Sequence, residues 1–377
     1  MKSLVLSFLV ILTLFSCSKD DNNQTNDKEF NITGKFLAPN GFDAISNARV
    51  RAYENNNLKS ETRTDAQGNY SLPVAKGDYN LVINKGKFKT ERNVNVENDL
   101  ALETLSVETL PNVAVVTGYY DNIESVLYSI GLFNPVTGEP LFDIIDGNSG
   151  FDRIGINQNT KHEHEHGPLN RNSSNPLLVP NVDFSFEDLM GDQGLLDAYD
   201  IVFLNCGLSE AFVDNSGVLE AYVSNGGILY TTDWAAGYLD AITNSGADYL
   251  TPYTPEKSGT STTTVATILE GDLSEWLLLN FNISIEDTVE IDDFLYSWQV
   301  IDTYDSSTTI SWLNGPVTYR DDTSTEISEN KDLAFTFLHG DGGVFYSSFH
   351  TENSDIEDVT EVERIMQFLV FEMSDLQ

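Results

Sequence analysis

Cysteine is almost absent: Cys17 and Cys206 are the only two in 377 residues. If Cys17 is used for anchoring, as argued below, no intramolecular disulfide remains, and stability must come from core packing. Cys206 ends an apolar run, Ile201 to Gly207, which predicts a buried and unreactive thiol. Basic residues are scarce too, with 20 Lys and Arg against 59 Asp and Glu and a formal charge of −39. A field of that sign repels nucleic acid and anionic lipid surfaces, and argues against both as partners. It suits divalent cations, yet Glu286-Asp287 and Glu290-Ile291-Asp292-Asp293 lack the spacing of a calcium loop and read as a solvated face. Beyond the N-terminus no apolar run is long enough to span a bilayer.

The long apolar run that is present lies at residues 1–16. Lys2 precedes Leu4 to Leu12, interrupted only by Ser7, and Leu14-Phe15-Ser16-Cys17 follows. The run is too short for a mature transmembrane helix and suits a secretory signal. A Cys directly after a small residue at its end resembles a bacterial lipobox, although Phe15 stands where that motif prefers a small residue. The resemblance implies lipidation of Cys17 and a membrane partner reached through it. Residues 17–28 are polar and acidic, a flexible tether by composition. An acidic patch in that place resembles the surface-export signal of Bacteroidota-type lipoproteins, which implies an outer-membrane anchor and a cell-surface address.

Residues 29–108 change character. Ala48-Arg49-Val50-Arg51-Ala52-Tyr53 alternates as a half-exposed strand does, and Asp65-Ala66-Gln67-Gly68-Asn69-Tyr70 is a turn with Gly where positive φ is useful. Lys76-Gly77-Asp78-Tyr79 turns again into Tyr79 to Ile83, and no helical period appears. The pattern predicts a small antiparallel β-sandwich. Ile32-Thr33-Gly34, Asn47-Ala48-Arg49-Val50, Thr64 to Leu72 and Gly77-Asp78-Tyr79 resemble the carboxypeptidase regulatory-like domain. That resemblance implies an immunoglobulin-like, non-catalytic spacer.

Residues 110–377 read as an α/β domain. Val113 to Thr117, Phe142 to Ile145, Tyr199 to Leu204 and Ile228 to Thr232 are apolar strands. Ile123 to Ile130 and Val218 to Val223 are helical, and Asp121 or Asn122 is placed to cap the first helix. Alternation of this kind predicts a parallel sheet with helices on both faces. Leu333 to Leu338 and Val344 to Phe349 form a hairpin, and Val359 to Met373 is a closing amphipathic helix. A polar insertion occupies residues 147–181.

Tyr199 to Gly207, Leu219 to Leu229 and Gly342 to Glu352 together resemble the class I glutamine amidotransferase-like fold, in particular its ThuA-like branch. The resemblance implies a flavodoxin-like arrangement. In amidotransferases a nucleophilic Cys sits on a strand-to-helix turn and a downstream His-x-Glu supplies base and orienter. His350-Thr351-Glu352 fits the second part, but the turn after Thr232 reads Asp233-Trp234-Ala235-Ala236-Gly237 and has no Cys. Cys206 follows the preceding strand, away from the nucleophile position, so thiolate hydrolysis of glutamine is not expected.

Asp233, His350 and Glu352 are nevertheless a candidate nucleophile, base and orienter for an ester-like or halogenated substrate. The competing and preferred reading makes Asp233 a helix cap and leaves the other two in local hydrogen bonds. Strand ends at such a crevice favour a ligand, with Trp234 as a stacking wall and Asn205 as a polar contact. In the insertion, His162, His164 and His166 alternate with Glu163 and Glu165, so an extended chain lines three imidazoles on one face, a possible divalent-metal site. No organic cofactor is expected. The leading expectation is an envelope-anchored lipoprotein whose α/β domain binds a glycan or a partner protein without catalysis. The alternative is an extracytoplasmic hydrolase using Asp233, His350 and Glu352.

Overall fold

The computed structural model describes residues 28–147, 178–242, 246, 248–249, 259–271, 273, 288–294, 297–320, 323, 325–351 and 365. Cys17, His162, His164, His166, Glu352 and all but Ile365 of the expected closing helix lie outside the described residues.

Eight strands build the N-terminal unit: β1 (Phe30–Leu37), β2 (Arg49–Glu54), β3 (Asn57–Arg63), β4 (Asn69–Val74), β5 (Gly77–Lys85), β6 (Phe88–Val96), β7 (Leu100–Ala101) and β8 (Leu105–Ser106). One sheet runs β4-β1-β7, with β8 also pairing β1, and the other runs β3-β2-β5-β6. Period-two alternation sends Ile32, Phe36, Leu72, Val50, Ala52, Leu81 and Ile83 inward, each fully buried. The turn before β4 is held by Asp65, whose Oδ1 accepts from Gln67 N at 2.9 Å and Asn69 N at 2.8 Å. Gly68 occupies φ +77° there, a conformation an L side chain rarely adopts.

The second unit contains β9 (Val113–Val116), α1 (Ile123–Ser129), β10 (Asp143–Ile145), α2 (Phe186–Gly191), α3 (Gln193–Leu196), β11 (Ile201–Leu204), α4 (Gly217–Ser224) and β12 (Ile228–Thr232). Then follow β13 (Asp248–Tyr249), β14 (Thr262–Ile268), β15 (Thr288–Phe294), β16 (Ile301–Thr303), β17 (Thr309–Arg320), β18 (Glu326–His339) and β19 (Gly342–Ser347). Nine of these strands form one sheet in the order β10-β9-β11-β12-β19-β18-β17-β14-β15, while β13 and β16 pair separately.

The sheet is mixed, which corrects the expectation of a parallel one. Neighbours from β10 to β19 run parallel, and those from β19 to β15 run antiparallel. The parallel strands β9, β11, β12 and β19 are buried along their whole length, as strands covered on both faces must be. Alternate residues feed two cores. Val113, Val115, Ile201 and Phe203 pack with Ile123, Val126 and Leu127 of α1. Ala114, Val116, Val202 and Leu204 pack with Phe186, Leu189, Leu219 and Val223 of α2 and α4. Strands β14 and β17 instead alternate buried and exposed positions, the mark of an antiparallel sheet with one wet face.

The first of these cores continues into the sandwich. At the junction Asn112 N donates to Asp200 Oδ2 at 2.9 Å, and the Lys87 ammonium lies 3.5 Å from Asp200 Oδ1. Asn40 N donates to Gly131 O at 3.3 Å.

Candidate functional site

The parallel strands run the same way, and the C-terminal ends of β11, β12 and β19 gather polar side chains. β12 ends at Thr232, and the chain turns sharply through Asp233 at φ +43° into a 3-10 segment, Asp233–Leu239. A non-glycine residue with that backbone is uncommon, and such strain clusters at ligand and catalytic sites. The Asp233 carboxylate does not cap the segment. Its Oδ1 accepts from Gln299 N at 2.5 Å, and its Oδ2 lies 3.0 Å from His350 Nε2 and 3.5 Å from Cys206 Sγ, whose thiol donates to it.

His350 follows β19 and Cys206 follows β11, so three neighbouring strand ends supply the trio. All three residues are buried, with the His350 and Asp233 side chains 1% and 2% exposed. The imidazole approaches Asp233 out of line, so that neither ring nitrogen makes an aligned hydrogen bond. Burial pushes the Cys206 thiol up to about 12, and the neighbouring Asp233 charge adds to that. For His350, burial alone favours the neutral ring, but Cys206 and Asp233 outweigh it and hold the imidazole well above its usual range.

Behind the trio lies a clamp that the sequence did not disclose. Asp121 is fully buried; its Oδ2 accepts from Thr232 Oγ1 at 2.5 Å. Its Oδ1 accepts from Asn122 N at 3.0 Å, Thr351 N at 2.9 Å and the Thr351 hydroxyl. Thr232 Oγ1 in turn accepts from Cys206 N at 2.9 Å. One carboxylate thus ties the loop after β9 to the ends of β12 and β19. Asn122 holds the N-cap position of α1 but makes no side-chain cap bond, so neither residue caps the helix as expected. Gly118 lets these loops meet, since a Cβ there would sit on the Cys206 carbonyl oxygen.

The other expected site residues are placed as follows. Asn205 is fully buried, and its Nδ2 donates to Glu124 Oε2 at 3.0 Å, so its amide faces protein. Trp234 is half-buried and its indole N–H donates to Ser297 O at 2.7 Å. With the Gln299–Asp233 bond, this pins the segment Ser297 to Val300 against the turn. Trp298, Gln299 and Val300 are all buried there. Gln299 and Asp121 were missed because a lone Gln or Asp in a loop carries no periodic or motif signal. Cys206 was assigned to burial alone, since its contact with Asp233 joins different strand ends.

Residues 31–108 match the carboxypeptidase regulatory-like domain family. No curated protein matches the chain. Among solved structures, a ThuA-like protein from Parabacteroides merdae is similar at 10% identity, covering 63% of this chain and 78% of its own, with a TM-score of 0.33. A cohesin–X-dockerin complex from Acetivibrio cellulolyticus matches 28% of this chain and 74% of its own at 20% identity and TM-score 0.19. A cold-adapted β-galactosidase from a Rahnella species matches 70% of this chain and 31% of its own at 12% identity and TM-score 0.33.

Proposed function

We propose that this chain is a lipid-anchored protein of the bacterial outer membrane, displayed at the cell surface, whose α/β domain is a non-catalytic binding or interaction module. The observation that carries the non-catalytic reading is closure of the trio. Asp233 spends one carboxylate oxygen on the Gln299 backbone and the other on His350 and Cys206, and none of the three side chains is open to solvent. A substrate would need hydrogen-bond reach to groups that are closed off from solvent. The immunoglobulin-like sandwich serves as the spacer, and the five parallel strands, in the order 2-1-3-4-5, follow a flavodoxin-like plan.

The ligand is a glycan or a partner protein. Apart from that module, the spacer carries open polar surface of its own, where two hollows of about 460 and 470 Å³ share Tyr53, Asn56 and Asn80. Amide side chains beside an aromatic ring provide paired hydrogen bonds and a stacking face.

A hydrolase is the second reading, favoured by the strained backbone of Asp233 and its 3.0 Å approach to His350. The two readings separate in one experiment on the lipid-free chain carrying Cys17→Ser. Esterase, amidase and glycan-binding screens are run beside His350→Ala. Binding that survives His350→Ala, with no turnover in either chain, supports the module. Turnover that is lost in His350→Ala overturns it. Localisation is tested in cells, where Cys17→Ser should release the protein from the membrane fraction, because stable anchoring needs acyl chains. Unchanged membrane association would remove the anchor.

A further inference from the structure

We propose that Cys206, Asp233 and His350 form a buried binding site for Zn²⁺, fastening the ends of β11, β12 and β19 to one another. The ligand atoms of these residues lie within 4.8 Å of one another. Zinc takes thiolate at about 2.3 Å and imidazole or carboxylate at about 2.0 Å, so tetrahedral donors stand roughly 3.3–3.6 Å apart. Asp233 Oδ2 lies 3.5 Å from Cys206 Sγ and 3.0 Å from His350 Nε2. Two of the three donor separations thus lie close to that spacing, and the third, between Cys206 and His350, is no more than 4.8 Å. One soft sulfur, one imidazole and one carboxylate is a donor set suited to Zn²⁺ and poorly suited to Ca²⁺ or Mg²⁺, which want oxygen alone.

A second, independent observation points to a ligand. Buried polar atoms without a hydrogen-bond partner are rare in folded proteins, and each asks for an explanation. Two of them belong to the trio itself, and two more to residues that adjoin it in the chain or bond to it. Neither ring nitrogen of His350 has an aligned partner, and Asn205 Oδ1 and Gln299 Oε1 have none either. Asn205 immediately precedes Cys206, and Gln299 is the residue whose N–H holds Asp233. A metal gives one imidazole nitrogen a partner, and a neutral oxygen donor completes the tetrahedron. Gln299, whose N–H already bonds Asp233, is the protein candidate for that fourth place.

The inference is independent of the anchor and of the alternating histidines in the insertion.

The test uses Co²⁺ as a spectroscopic probe for the zinc site in the full chain carrying Cys17→Ser, which leaves Cys206 as its one thiol. The chain is refolded with Co²⁺, because the closed site is filled most readily during folding. The expected result is a sulfur-to-cobalt charge-transfer band at one equivalent, with the visible bands of tetrahedral cobalt. The band disappears in Cys206→Ser and persists when His162, His164 and His166 are all replaced by Ala. His350→Gln, nearly isosteric, weakens cobalt binding at least tenfold if Cys206→Ser fails to fold. Cobalt bound with no charge-transfer band, or no cobalt bound by the folded chain, overturns the site. A band that vanishes with the triple histidine replacement also overturns it.

Discussion

On the sandwich, Arg92 pairs with Glu108 and Lys89 with Glu91 in open solvent, and the outward face is rich in Asn side chains around Tyr53. In the α/β sheet the comparable groups are inside: Asp121, Glu124, Asp233 and His350 are all buried where parallel strands end. Exposed pairs are screened and lose side-chain entropy, so each contributes little. Buried groups are committed to fixed partners, and removing one leaves the others unpaired in a dry site. The two units therefore place their mutational sensitivity differently. The sandwich depends on its apolar core and turns, and the α/β sheet depends on polar bonds at its strand ends.

The largest effect is expected at the clamp. Asp121→Ala strands the Thr351 N–H and the Thr351 and Thr232 hydroxyls, while the Asn122 N–H keeps the Thr351 carbonyl, and should destabilise by about 3 kcal/mol or more. A urea midpoint measured at unchanged m reads this directly, and a loss under about 1 kcal/mol would erase the contrast. Gly118→Ala comes next, at about 1–3 kcal/mol, because its Cβ meets the Cys206 carbonyl oxygen and backbone must move. The same urea series measures it, and an unchanged midpoint would mean that the loops are looser than described.

Legibility followed the same division. The continuous apolar runs of β9, β11 and β12 were readable because strands covered on both faces leave little polar residue in the pattern. The turn at Asp65 to Asn69 was readable from Asp and Gly at set offsets. Strands β14 to β17 were not, since Thr-rich alternation with a wet face resembles any polar loop until a partner strand is known. At the site, His350 and Asp233 could be picked out through a family pattern. Asp121 could not, because its partners Thr232 and Thr351 lie 111 and 230 residues along the chain.

A smaller test lies inside the sandwich, at one of its departures from the rule. The Tyr70 hydroxyl is buried without a hydrogen-bond partner, and burial raises its pKa to about 12. A raised folded-state value gives a contribution that is complete below the unfolded value near 10 and is lost as pH climbs from there to about 12. Tyr70→Phe should therefore raise stability by about 1 kcal/mol at neutral pH and flatten the alkaline loss between those limits. Thermal melts across that window decide it, and a less stable Phe variant would reveal an overlooked partner for the hydroxyl. The smallest effect is expected for Arg92→Ala, about 0–1 kcal/mol and smaller still in high salt. A greater loss would mean that the Arg92–Glu108 pair is more than a surface contact.

The Asp121–Thr351 bond also has a bearing on time. It closes a loop of 230 residues, and everything from β10 to β19 must be laid down before the second partner exists. Long-range closures slow folding because chain entropy is spent before the contact repays it. During synthesis Asp121 and Asp233 must wait, wetted, while β13 to β18 emerge between β12 and the strand that carries His350 to them. The drying of this crevice is then a late event in the life of each molecule, and a chain interrupted before β19 has no route to it.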